Sequence, residues 1–194
     1  MTLCFKLSGV DIPSMPSREE IKRLYIAAKQ RGDVDCPRED VLYFWTQEND
    51  LVHFNTTRVI KKRGIDGMDL SEAEIEARRQ LRQIVDFLRK NVAGFANARI
   101  HSIAHHIGIR ETRRVIGMDY VSVTDFEAAR KYPDAIARIN YPIDIHNPGG
   151  SGTIIKHLQP NDWYEIPYGC IVPADSENLL VGSRRRRKMN VCAV

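Results

Sequence analysis

A chain of 194 residues, 43% hydrophobic and 28% charged, has ordinary globular composition and length enough for one sizeable core, or one domain and part of another. Its formal charge of +4 comes from Arg184 to Lys188; the remainder carries 24 basic against 25 acidic residues, a net of −1, which argues against a nucleic-acid-binding face on the folded part. No apolar run approaches the roughly 20 residues of a membrane span. The start, Met1-Thr2-Leu3-Cys4-Phe5-Lys6, lacks the basic start and apolar stretch of a signal peptide, and Cys4, Cys36, Cys170 and Cys192 form no Cys-x-x-Cys pair for zinc or iron–sulfur binding. The expectation is a reduced, intracellular, cytoplasmic protein with free thiols.

Residues 3–10 alternate apolar and polar, as a half-buried strand does. After Pro13 and Pro16, Ser17 and Glu20 form a capping box for a helix with Ile21, Leu24, Tyr25 and Ala28 on one face and Gly32 as its stop. Residues 41–45 and 51–54 read as a hairpin around the polar turn 46–50. A longer helix is predicted over 71–92, capped by Ser71 and Glu74 and ended by Gly94. Its stripe is Ala77, Leu81, Ile84, Val85, Leu88 and Val92, and its other face, with Arg78, Arg79, Arg82 and Arg89, is read as solvated. Residues 99–107 and 115–123 read as strands entering and leaving a turn. Thr124 and Glu127 form a third capping box for a short helix through Ala129, closed by Pro133. Residues 141–145, 153–158, 163–168 and 179–181 then read as strands of a mixed sheet, which makes the fold α+β with packed helices. Gly150-Ser151-Gly152 reads as a hairpin turn, since Ile155 stands where a dinucleotide loop needs its third glycine.

The turn between the two central strands reads Gly108-Ile109-Arg110-Glu111-Thr112-Arg113-Arg114-Val115-Ile116-Gly117. Forked, permanently charged guanidiniums suit recognition of carboxylate or phosphate. An ion-pair knot with Glu111 bridging Arg113 or Arg114 is the competing reading. His101, His105 and His106 offer at most two converging imidazoles on a strand, with no carboxylate at ligand spacing, so no metal site is expected. Trp163 and Tyr164 read as core and rim residues of the sheet. No Gly-x-Ser-x-Gly elbow of a serine hydrolase occurs.

The arginine run, the block Tyr141-Pro142-Ile143-Asp144-Ile145-His146 with the glycine-rich turn and Ile166-Pro167-Tyr168 behind it, and Glu177-Asn178-Leu179-Leu180-Val181-Gly182 together resemble the FAD-dependent oxidoreductase family related to the flavoprotein component of heterodisulfide reductase. The resemblance covers roughly residues 1–183. It implies a flavoprotein with a discontinuous FAD-binding domain, transferring a hydride between a small organic substrate and FAD. On that resemblance residues 1–170 are a substrate domain, 171–183 a return strand toward the FAD-binding domain, and 184–194 a basic, disordered tail. No Gly-x-Gly-x-x-Gly follows a strand, and the ending after Gly182 departs from the family. The expectation is therefore a fragment with an incomplete FAD site, inactive alone, whose partners are a small-molecule substrate and the missing FAD-binding segments of its parent. Relatives of that flavoprotein carry 4Fe–4S clusters; the cysteine spacing here supports none.

The same resemblance gives Arg110, Arg113 and Arg114 the task of orienting an anionic group or steadying the flavin-facing wall, with Glu111 holding one guanidinium. Asp144 and His146, two residues apart on a strand, share a face, so the carboxylate is placed to tune the imidazole for proton transfer; anchoring the Asn147-Pro148-Gly149 turn is the other reading of His146. Tyr141 and Tyr168 are either phenolic donors or sheet packing, and Gly182 is the cofactor-side residue. The alternative function is a non-catalytic binding or interaction domain whose basic tail is drawn to nucleic acid or acidic membrane, without sequence specificity.

Overall fold

The computed structural model describes residues 1–110, 112–113, 115–146 and 153–182. It divides into a first unit, residues 1–110, and a second unit holding the described residues from 112 onward. The elements run β1 (Phe5–Ser8), α1 (Arg18–Gln30), β2 (Tyr43–Trp45), β3 (Val52–Phe54), α2 (Gly67–Asn91) and β4 (Arg99–Ile103) in the first unit. In the second they run α3 (Val123–Glu127), β5 (Ala135–Ile139), β6 (Ile143–His146), β7 (Thr153–Lys156) and β8 (Tyr164–Pro167). The class is α+β, and the described strand pairings are all antiparallel.

In the first unit the strands lie in the order β2-β3-β1-β4. The alternation read along β1 sends Phe5 and Leu7 into the core, where Phe5 faces Phe54 of β3 and Phe54 faces Tyr43 of β2. One core joins these side chains to Ile21, Tyr25 and Ala28 of α1 and to Ala77, Leu81, Ile84, Val85 and Leu88 of α2. Helix α1 starts where the capping pattern places it, with the Ser17 hydroxyl accepting from the Glu20 N–H at 3.2 Å. Helix α2 starts a turn earlier than its second capping pattern predicts. Asp66 is its N-cap, and its carboxylate accepts from the N–H groups of Met68 and Asp69, both at 3.0 Å. That leaves Ser71 inside the helix, donating back to the Gly67 carbonyl at 2.9 Å, while Glu74 turns to Arg78 and to the Ile107 N–H. Gly94 follows α2 at φ 84°; its carbonyl accepts from the Asp11 N–H at 2.9 Å, and a Cβ there would overlap the Asp11 carbonyl oxygen. The arginine face of α2 is tied down locally: Arg79 bonds Glu76 at 2.6 Å and Asp35 at 3.0 Å, and Arg89 donates to the Ala98 carbonyl.

The predicted strand over 99–107 stops at Ile103, so His105 and His106 lie beyond its alternation. Among the described residues no three His, Cys, Asp or Glu side chains gather at metal-binding distance, and no helix is long and apolar enough to cross a membrane. Cys4, Cys36 and Cys170 are free thiols.

The second unit departs further from the sequence reading. Residues 115–123 form no strand. An isolated antiparallel bridge joins Gly117 to Pro173, flanked by Met118 N–H to the Val172 carbonyl and Ala174 N–H to the Ile116 carbonyl, both 2.9 Å. Pro173 has no N–H with which to extend a ladder. The predicted stretch 179–181 is not among the described strands; its Val181 N–H donates to the Ile171 carbonyl at 2.8 Å. Strand β5, absent from the sequence reading, pairs with β8. Helix α3 is capped by Ser122 and Asp125, two residues ahead of the Thr124–Glu127 pattern, and Glu127 pairs with Lys156 instead. Phe126 and Tyr164 meet edge-on in a small core with Val121 and Ile143.

Asp125 gives this unit a measurable pH dependence. Burial opposes its charge, but the Ser122 hydroxyl, the Arg130 guanidinium at 2.7 Å and the Ser122 N–H outweigh it and hold its pKa at about 2. A depressed carboxylate stabilises the fold above its unfolded pKa of roughly 4 and loses that contribution as pH falls through about 2. Asp125→Asn is expected to cost roughly 2 kcal/mol near neutral pH, with the gap to wild type closing in acid. Hydrogen exchange of the amides around α3 at both pH values is the check; an unchanged gap in acid contradicts the assignment.

Candidate functional site

Arg110 closes the first unit beside the N-terminus. The N–H of Thr2 donates to the Gly108 carbonyl at 3.1 Å and the N–H of Gly108 donates back at 2.7 Å, so the arginine turn leaves the sheet next to Met1. A Cβ on Gly108 would sit 3.1 Å from the Thr2 carbonyl oxygen, a tight contact at this crossing. The Ile107 N–H just before it donates to Glu74 at 2.5 Å.

Arg58 and Arg110 both act on the Met1 amine through space. The Met1 ammonium donates to the Val59 carbonyl at 2.6 Å. Burial first, then the charges of Arg58 and Arg110, push its pKa below the ordinary value. Arg58 is buried, pairs with Glu39 at 3.4 Å, and has its own backbone gripped at both N–H and carbonyl by the Gln80 carboxamide. Arg110 is exposed. Guanidinium groups such as these suit a carboxylate or phosphate oxygen.

Arg58 was not visible as a candidate in the sequence. The Thr56-Thr57-Arg58 run looks like loop, yet Thr57 is fully buried, its hydroxyl accepting from the Leu3 N–H at 2.8 Å and donating to the Leu3 carbonyl at 3.0 Å. A polar run directly after a buried strand is the signal that would have found it. The open face of the same sheet carries a second unforeseen row, in which Phe44 of β2 faces His53 of β3 and His53 faces Lys6 of β1. Burial, then the Lys6 charge, lowers the His53 pKa, which favours a neutral imidazole.

The remaining candidates lie in the second unit. Asp144 and His146 occupy alternate positions of β6, opposite Ile155 and Thr153 of β7, so their backbone positions share a strand face. The His146 side chain, with Glu111, Arg114 and the Gly150-Ser151-Gly152 turn, lies outside the described residues. Arg113 is exposed. Tyr141 and Tyr168 are exposed as well, at 63% and 45%. The backbone N–H of Tyr168 donates to the carbonyl and carboxylate of Asp134, each at 3.1 Å. Gly182 has no heavy atom within 4 Å of where a Cβ would stand, so no close approach among the described residues demands glycine there.

All three described α-helices have N-termini closed by their own side chains. Ser17, Asp66 and Ser122 occupy the caps, and Glu19 and Glu20, Asp69 and Asp125 fill the first turns. A diphosphate approaching any of them meets carboxylates and spent N–H donors.

A family model described as FAD dependent oxidoreductase matches residues 1–185. No curated protein and no solved structure matches the chain.

Proposed function

Since the chain belongs to the FAD dependent oxidoreductase family, we propose that residues 1–170 are the substrate-facing region of an enzyme that passes a hydride between a small organic substrate and FAD. Residues 171–183 are then the returning segment toward the flavin domain. The match over 185 residues is the observation that carries the reading. In this role Arg110, with Arg113 and Arg114, orients an anionic group of the substrate. Tyr141 and Tyr168 present phenolic O–H groups to solvent and hence to a ligand, and the Asp144–His146 strand supplies a proton-handling pair. The three sequence blocks that resemble the flavoprotein component of heterodisulfide reductase make kinship with that protein the finer part of the proposal.

The described residues do not fit the diphosphate of FAD. Their helix N-termini are capped by carboxylates or hydroxyls, and no Gly-x-Gly-x-x-Gly loop precedes any of them. No chemical step is assigned to a flavin held by these residues alone, and the dinucleotide contacts are proposed to come from other segments of the protein.

Titrating the purified chain with FAD while recording its visible spectrum tests this division of labour. The expected result is a colourless protein whose spectrum with FAD is the sum of the two components. A flavin band that copurifies, or that shifts and saturates on titration, would put a complete flavin site within this chain and overturn the division.

A further inference from the structure

The sheet of the first unit is closed at one edge and open at the other. At one end of the order β2-β3-β1-β4 lies β2, only three residues long. Arg18 covers it, donating to the Tyr43 carbonyl at 3.0 Å with its guanidinium 4.1 Å from the centre of the Tyr43 ring. At the other end lies β4, all five of whose residues are exposed. The Ala104 N–H donates to the Cys4 carbonyl at 2.9 Å, so by the alternation of an antiparallel ladder Ile103 turns its own N–H and carbonyl away from β1. No strand among the described residues takes them.

Residues three apart on a regular strand face opposite sides, but Ile100 and Ile103 face the same one. The register slips at His101, which sets Ile103 opposite Phe5 and Ile100 opposite Leu7. Phe5 and Leu7 are buried, whereas Ile103 and Ile100 on the same side of the sheet stay 37% and 42% exposed. The apolar layer thus continues past β1 and ends uncovered. Helix α2 follows this margin antiparallel to β4: Glu74 accepts from the Ile107 N–H beyond the end of β4, and Arg89 donates to the Ala98 carbonyl ahead of its start. Between them Arg82 and Asp86 are exposed and have no ion-pair partner among the described residues.

This margin is complementary to itself. Antiparallel pairing of β4 with its copy, about a two-fold axis between His101 and Ser102, sets Ile100 opposite Ile103 of the second copy and Ile103 opposite Ile100. Four isoleucines then meet on the core side. Arg99 faces Ala104 rather than another Arg99, and His101 faces Ser102. With rises of about 3.3 Å per strand residue and about 1.5 Å per helix residue, the same axis passes the middle of α2 and brings Arg82 level with Asp86 of the second copy, twice. We propose that the chain forms a two-fold dimer through β4, joining two four-stranded sheets into one, with the Arg82–Asp86 pairs beside the seam. The proposal does not depend on the flavin reading.

Sedimentation equilibrium of the full chain is the test, with circular dichroism to establish that each variant is folded. The parent is expected to dimerise at micromolar concentration. Ile103→Lys, which places a charge at the seam, should leave a folded monomer. Asp86→Arg changes only an exposed helix position and sets arginine against arginine across the axis; it should weaken the dimer at least about tenfold. The double variant Arg82→Asp/Asp86→Arg exchanges the two charges and should restore it, a readout that stands even if Ile103→Lys fails to fold. Three results overturn the proposal: a parent that remains monomeric at about 100 μM, a folded Ile103→Lys as dimeric as the parent, or Asp86→Arg dimerising as tightly as the parent or failing to recover in the double variant.

Discussion

Gln80→Leu is expected to unfold about 4 kcal/mol more easily than wild type. Gln80 is almost completely buried on α2. Its carbonyl oxygen accepts from the Arg58 N–H at 2.8 Å and from the Cys36 thiol at 3.3 Å, while its amide nitrogen donates to the Arg58 carbonyl at 3.1 Å and to Glu76 at 2.8 Å. Leucine matches the volume and removes all four bonds. Two backbone groups of Arg58 are then stranded in a dry interior, each costing about 1–3 kcal/mol. The loss reaches the candidate site too, because the same carboxamide fixes where Arg58 leaves the chain. Urea denaturation followed by circular dichroism is the measurement. A loss below about 1 kcal/mol would mean that water or a shifted backbone satisfies Arg58 without Gln80.

Phe54→Ala is expected to cost about 3–5 kcal/mol, the range for large aromatic truncations in closed cores. Phe54 is fully buried on β3. Its ring stacks on Phe5 with centroids 5.0 Å apart and planes 6° from parallel, and meets Phe95 edge-on at 6.1 Å. Backbone ladders hold β3 between β1 and β2, so neither neighbour can slide in to fill the space. Phe54→Leu should recover a substantial part of the loss in the same denaturation experiment. Equal stability of the two variants would show that packing around the ring is loose.

The first unit was largely legible because its signals are local. The alternation of β1, the stripe of α2 and the Ser17 cap each lie within a few neighbouring residues, and each element formed close to where those patterns put it. The start of α2 was misplaced because Asp66 and Ser71 are both competent caps. The earlier one wins by taking two backbone donors at once. In the second unit the decisive facts are distant ones. Residues 115–123 are apolar enough for a strand, but their partner segment contains Pro173. Ala135 to Ile139 has weak strand propensity and becomes β5 because β8 supplies the ladder.

The candidate site divides the same way. A cluster of arginines within five residues announces itself, so Arg110 was nameable from sequence. Arg58 lies more than fifty positions away and acts on the same Met1 amine only through the placement that Thr57, Leu3 and Gln80 give it. Likewise nothing in the sequence ties Phe44, His53 and Lys6 together until register sets them in one row across three strands.

The contact between Gly94 and Asp11 bears on how this sequence can drift. Any side chain at position 94 meets the carbonyl oxygen of Asp11, an atom that every amino acid brings to position 11. No compensating substitution at Asp11 can therefore relieve the conflict. Release requires the backbone of the 11–15 loop to take another path, through an insertion or deletion. Among homologues, the identity of position 94 should thus covary with the length of that loop rather than with the residue at position 11.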